Sequence, residues 1–255
     1  VWHPNPPARR APVVVFSHGF RGCAQQSTFL TEALAAHGYF VVAPNHPDAR
    51  CDRAGRGSTP RLEEPVRDPE KWSDKTFAAR RDDIRAVLQA LKESPRFRDS
   101  IDLRRLALAG HSLGGYTVVG LAGGWERWRI AGVKAVLALS PYVEPFTVHN
   151  TLGALDVPVM YQGGTLDLGI TPFLKREGGA YEQSTAPKYF VEYTRAGHFA
   201  WTNLRKDTHQ RILDYAIPFL DRYVRGTSSG TRLTTKAAGV SDLRFDTTVV
   251  TGARG

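Results

Sequence analysis

The stretch Leu106-Ala107-Leu108-Ala109-Gly110-His111-Ser112-Leu113-Gly114-Gly115 decides the reading of this chain. Leu106–Ala109 is a short apolar run that reads as a buried strand, and Tyr116–Leu121 beyond it reads as a helix. Between them Gly110-His111-Ser112-Leu113-Gly114 spells G-x-S-x-G. On a sharp strand-to-helix turn, small flanking residues avoid backbone clashes and leave a serine hydroxyl exposed. The string alone is a weak signal, and the chain carries its own control. Gly226-Thr227-Ser228-Ser229-Gly230 fits the same pattern but follows a helix and enters a polar tail. Only Ser112 has a strand before it and a helix after it, so Ser112 is the candidate nucleophile.

Working outward, short β-rich runs alternate with helical patterns, which predicts an α/β fold with a mostly parallel sheet and helices on both faces. Pro12–Ser17 reads as the first strand, Ser27–His37 as a helix, and Tyr39–Ala43 as the next strand. Residues 44–75 are rich in Pro, Arg, Asp and Gly and read as a long surface excursion. Thr76–Leu91 places Ile84, Val87, Leu88 and Leu91 on one helical face. Val133–Leu139, Val157–Gln162 and Lys188–Tyr193 read as strands, and His209–Val224 as the closing helix. One domain spans residues 1–226. Residues 227–255 read as a tail or an edge strand, Leu243–Val250.

Composition excludes several classes. With 255 residues, 42% hydrophobic and 23% charged, the chain is globular in usage and long enough for a large core. Its longest apolar runs, such as Val13–Phe16, are too short to cross a bilayer. The net charge of +9 comes from 26 Arg and 8 Lys, scattered in pairs such as Arg80-Arg81 rather than gathered in one block. No nucleic-acid-binding motif accompanies that charge, so no specific nucleic-acid partner is expected. Two cysteines are too few for a disulfide scaffold or a four-ligand zinc site. The chain opens at Val1 without Met, a start compatible with removal of an export signal.

A serine needs a base and a group that orients the base. Downstream of Ser112 the histidines are His149, His198 and His209. His198 follows the strand Lys188–Tyr193 at its C-terminal end, where ligands bind in parallel sheets. His149 and His209 read as solvated or capping residues. Two aspartates lie between Ser112 and His198. Asp156 precedes the strand Val157–Gln162, and Asp167 follows it at the correct end. The set Ser112, Asp167, His198 is therefore the expected triad. Oxyanion donors are expected from the Leu113 N–H and, across Ser17-His18-Gly19-Phe20, from the Phe20 N–H. His18 and His111 read as structural. Phe20, Tyr142 and Trp201 are expected to line an aromatic substrate cleft, with Phe199 beside them or in the core. No long helical lid is evident between Tyr142 and Asp156, so the cleft should be open.

These motifs resemble the α/β-hydrolase superfamily, and within it the platelet-activating-factor acetylhydrolase, dienelactone-hydrolase-like and cutinase-like esterases. The matching stretches are Val15–Phe20, Gly38–Pro44, Gly110–Gly115, Gly164–Pro172 and Gly197–Phe199. The resemblance implies a metal-free serine esterase without a cofactor, acting on small-molecule or polymeric esters. These families begin with further strands, of which only Val1-Trp2 could be a remnant. Dienelactone hydrolases carry Cys at the nucleophile position, so Ser112 argues against that activity. In this fold the strands preceding Cys23 and Cys51 are neighbours, so a Cys23–Cys51 disulfide is expected, two free thiols being the alternative. A bond would favour an exported enzyme. The rival functions are a lipase or phospholipase, and a non-catalytic binding member of the fold.

Overall fold

The computed structural model describes residues 1–5, 10–50, 60–228 and 230–248. Among these residues seven strands form one sheet in the order β2-β1-β3-β4-β5-β6-β7. They are β1 (Ala11–Ser17), β2 (Phe40–Val42), β3 (Ile101–His111), β4 (Val133–Leu139), β5 (Val159–Gly164), β6 (Lys188–Tyr193) and β7 (Val240–Asp246). The first six are parallel, and β7 runs antiparallel along β6. The edge strand expected at Leu243–Val250 thus begins three residues earlier. Trp2 makes an isolated antiparallel bridge to Val41 beside the opposite edge.

Successive strand residues bury into opposite layers. Val13, Val15 and Leu108 face one core, while Val14, Phe16 and Ala109 face the other. This is why the strands read as continuous apolar runs rather than as alternations. The first layer is covered by α2 (Ala78–Glu93) and α3 (Leu113–Val119), and the second by α1 (Thr28–Ala36) and α7 (His209–Leu220). Three short helices, α4 (Glu144–Val148), α5 (Thr171–Lys175) and α6 (Ala180–Gln183), add Phe146, Leu174 and Ala180 to the first layer. Among the described residues no helix is long and apolar enough to cross a membrane.

Residues 44–75 require a correction. They are not merely a surface excursion: Trp72 is fully buried, and His46 and Asp48 are buried with it. The Trp72 ring packs at 4.7 Å from Tyr142 and 5.1 Å from Tyr116. Pro and Gly report irregular backbone, not exposure, and this irregular segment supplies both an aromatic plug and a buried carboxylate.

The sheet order reverses around β1, which lies between β2 and β3. The chain therefore leaves a crevice where the loop after β1 and the turn after β3 diverge, and such switch points are where open α/β sheets bind ligands.

Candidate active site

Ser112 stands at that crevice. Its backbone has φ 56° and ψ −118°, a sparsely populated conformation for a non-glycine residue, and α3 begins at the next position. The turn is possible because its neighbours lack side chains. A Cβ on Gly110 would lie 2.3 Å from the Gly114 carbonyl oxygen, and one on Gly114 would lie 2.0 Å from that of Ser17. The spacing of small residues is thus dictated by close passage of three backbone segments.

The Ser112 Oγ lies 3.0 Å from His198 Nε2, and His198 Nδ1 lies 3.2 Å from Asp167 Oδ1. The three residues come from the ends of β3, β5 and β6, so the sheet brings together positions 86 and 31 residues apart. With Nδ1 protonated toward the carboxylate, Nε2 is free to accept the Ser112 proton. Asp167 is buried, whereas His198 is partly open to the cleft. Asp156 lies at the other end of β5 and pairs with Arg129 at 3.1 Å.

One residue escaped the sequence reading. Ser140, at the end of β4, is fully buried and donates its hydroxyl to Asp167 Oδ2. Its Oγ also lies 2.8 Å from His198 Nδ1. The signal available was its place: β4 lies between the strands that carry Ser112 and Asp167, so the residue just past it must fall between them.

The loop after β1 is held from below. The Gly19 carbonyl accepts from His18 Nδ1 at 2.7 Å, from the Gly22 N–H at 2.9 Å and from Arg80 Nη2 at 3.4 Å. That carbonyl shares a trans peptide plane with the Phe20 N–H, so anchoring the oxygen turns the N–H the opposite way. The Gly19 N–H donates to Gln26 Oε1 at 3.0 Å. Gln26 Nε2 in turn donates to His111 Nδ1 at 3.0 Å, while His111 Nε2 donates to the His198 carbonyl at 2.8 Å. His111 thereby ties the loop after β1 to the loop carrying His198. Burial, then repulsion from His198, pushes the His111 pKa down to about 3. His18 falls to about 3 as well, through burial and then the Arg80 charge. Burial thus disfavours the charged form of both imidazoles, and their hydrogen bonds brace the loop after β1 and the loop carrying His198.

The same three residue types meet a second time. His46 Nε2 lies 2.9 Å from Ser17 Oγ, and its Nδ1 lies 2.8 Å from Asp83 Oδ2. Ser17 and His46 are enclosed in protein, so no carbonyl can approach that serine. Arrangement alone does not make a site; access does.

A cleft of about 590 Å³ opens over Ser112, Asp167 and His198, lined by Phe20, Leu113 and Tyr142 together with Leu62, Val66 and Ile170. A second lobe of about 460 Å³ continues past Ser112 and His198 to Gln26, Phe199, Thr202 and Leu204. Tyr142 forms wall, with its hydroxyl donating to the Val66 carbonyl at 2.8 Å. Trp201 does not line either lobe. It is fully buried behind His111, and its Nε1–H donates to Gln162 Oε1 at 3.0 Å. The reason is the helical turn His198–Trp201, which turns Trp201 inward and leaves Phe199 57% exposed at the second lobe. A separate depression of about 590 Å³ behind Trp72 holds His149 and Trp125. His149 donates there to the Trp72 carbonyl, and His209 stacks on Phe29 at 3.5 Å, so neither reaches Ser112. Helix α4, only five residues long, packs Pro145 and Phe146 inward and contributes Glu144 to the cleft lining. Cys23 is buried beside this face; Cys51 lies outside the described residues.

Residues 14–249 match the alpha/beta hydrolase family. The chain belongs to that family. Relatives of this α/β-hydrolase include three proteins named cutinases. It is 26% identical over 221 residues to Cutinase est1 of Thermobifida alba, covering 83% of this chain and 60% of that protein. It is 25% identical to Cutinase 1 of Thermobifida cellulosilytica, covering 83% and 68%. The identity to the cutinase of Thermobifida fusca (strain YX) is likewise 25%, covering 83% and 59%. The α/β-hydrolase chain thus spans about three fifths of the length of the first of these relatives.

Proposed function

We propose that this α/β-hydrolase is a serine carboxylic-ester hydrolase working through an acyl-enzyme. The observation that carries the reading is the continuous chain Ser112 Oγ, His198 Nε2, His198 Nδ1, Asp167 Oδ1 beneath an open cleft. The names of the relatives agree with it.

In this mechanism His198 Nε2 takes the Ser112 proton as Oγ attacks the ester carbonyl. In this reading the tetrahedral oxyanion is held by the Phe20 and Leu113 N–H groups, as backbone donors fixed in position stabilise developing charge without reorganising. Asp167 keeps the proton on Nδ1 and stabilises the imidazolium. His198 then returns its proton to the departing alkoxide, and the alcohol leaves. Water, deprotonated by the same Nε2, attacks the acyl-enzyme and releases the acid, restoring Ser112.

The cleft supports short-chain aryl and alkyl esters over long-chain triglycerides, with polyesters accommodated along the two lobes. A second reading, a lipid esterase, draws on the exposed Leu166, Leu168, Phe199 and Leu204 around the mouth. A panel of p-nitrophenyl esters of rising chain length, aromatic esters, a polyester film and phospholipid vesicles separates the two. The Ser112→Ala variant belongs in the same panel, with an expected kcat loss on the order of 10⁴–10⁶-fold. Ser228→Ala should match wild type. Turnover retained in purified Ser112→Ala refutes the mechanism.

A further inference from the structure

We propose that Ser140 is a positioning residue that delivers part of the Asp167 charge to His198 and holds the imidazole in its working tautomer. The proposal rests on the ester-hydrolase reading and deepens it.

The position of Ser140 is set by the sheet. Its N–H donates to the Gln162 carbonyl of β5 at 2.7 Å, while the Leu139 carbonyl accepts from Ser112 N–H at 3.0 Å. The end of β4 is thus tied on one side to the strand bearing Asp167 and on the other to Ser112. Ser140 has φ 42°, a left-handed conformation unfavourable for a residue with a Cβ. A glycine would hold that backbone without strain. The turn therefore gives no backbone reason for a serine, and the explanation must lie in the hydroxyl.

That hydroxyl both donates and accepts. A serine oxygen has one proton to give and two lone pairs. Ser140 gives its proton to Asp167 Oδ2, which leaves lone pairs for His198 Nδ1–H at 2.8 Å. The direct Asp167 to His198 contact, at 3.2 Å, is longer. The Nδ1 proton is shared between two oxygens, and the serine is the nearer. A hydroxyl polarised by a carboxylate is a better acceptor than an isolated one, because hydrogen bonds in a chain strengthen each other. As Nε2 takes up the Ser112 proton, the imidazolium meets both oxygens, and no proton needs to leave Nδ1. Ser140 also engages the Asp167 oxygen that His198 does not use, so the carboxylate cannot swing away. Being fully buried and absent from the cleft wall, Ser140 has no contact with substrate.

The test compares Ser140→Ala and Ser140→Gly with wild type on p-nitrophenyl acetate, alongside labelling by a fluorophosphonate. Both variants lack the hydroxyl, and the glycine is at home at this φ. Each is expected to lose roughly 10–100-fold in kcat with KM within about twofold, as befits misplacing a reacting group rather than a binding surface. Phosphonylation of Ser112 should slow in step. In ¹H NMR the downfield His198 Nδ1 proton should move in both variants. In a double-mutant cycle with Asp167→Asn the losses should be non-additive, because the two residues act on one proton. Wild-type kcat in Ser140→Gly, with the Nδ1 resonance unmoved, overturns the proposal. If wild type itself hydrolyses no ester and takes no label, the ester-hydrolase reading fails instead. The Nδ1 resonance then decides the role of Ser140 by itself.

Discussion

Arg80 donates from Nη1 to the His18 carbonyl at 2.7 Å, although the two residues are 62 positions apart in the chain. The guanidinium is fully buried and is also gripped by Asp48, at 3.0 Å through Nε and 2.7 Å through Nη2. Five donors in a rigid fork let one side chain bind a carboxylate and two successive carbonyls. The loop that presents the Phe20 N–H is thus mounted on a buried ion pair. Replacing Arg80 by Ala strands the Asp48 carboxylate in the interior, and a loss of about 3–5 kcal/mol is expected. Urea unfolding measures it; a loss under 1 kcal/mol contradicts the argument. Arg80→Lys, which keeps charge but not the fork, should fold and lower kcat more than it changes KM.

Asp167→Asn should leave the fold intact and cut kcat severely, since an amide can hold the wrong imidazole tautomer. Asp156→Asn, at the opposite end of β5, weakens a solvent-exposed pair with Arg129 and should be near neutral in both activity and stability. The reverse pattern would mean that the acid has been misassigned.

Stability should fall in mild acid. His18 and His111 titrate near 3 in the folded protein against an ordinary 6.5. The unfolded chain therefore binds more protons than the folded one between these values. Their contribution is complete above about pH 6.5 and is lost as pH falls toward 3. Between pH 7 and pH 5, above the range where ordinary carboxylates titrate, roughly 1–2 kcal/mol should be lost per histidine. Equilibrium urea denaturation at pH 7.5, 6 and 5 reads this directly. A flat profile would show that both imidazoles take up protons in the native state as readily as in the unfolded chain.

Trp201→Ala should act on folding, not on specificity. Removing a fully buried indole that donates to Gln162 is expected to cost about 3–5 kcal/mol. Tyr142→Ala instead opens the cleft wall, and its kcat/KM ratio between bulky and small esters should change. Equal ratios in Tyr142→Ala and wild type would remove Tyr142 from the specificity surface.

The Cys23–Cys51 pairing is tested by thiol titration of denatured, unreduced protein. No reactive thiol is expected; a count of two ends the idea.

Much of this protein was legible in its linear order. Val13–Phe16, Leu106–Ala109 and Val133–Leu139 announce a parallel sheet because both faces of such strands are buried, and burial is written in residue type. Gly110 and Gly114 flank Ser112 because backbones touch there, a local constraint that leaves a local mark. Asp167 and His198 follow from the rule that ligands gather at strand C-termini. What the order of residues did not reveal depends on contacts between distant segments. Trp201 sits three residues from His198, yet one helical turn sends its ring into the core. Ser140, Arg80 and Asp48 have no motif, because a buried hydrogen bond is defined by where two segments of the chain cross and not by either segment alone. The sequence by itself determined the fold and pointed to the three residues proposed to react. Only the tertiary structure decided how those groups are held, since orientation comes from polar side chains whose partners lie tens of residues away.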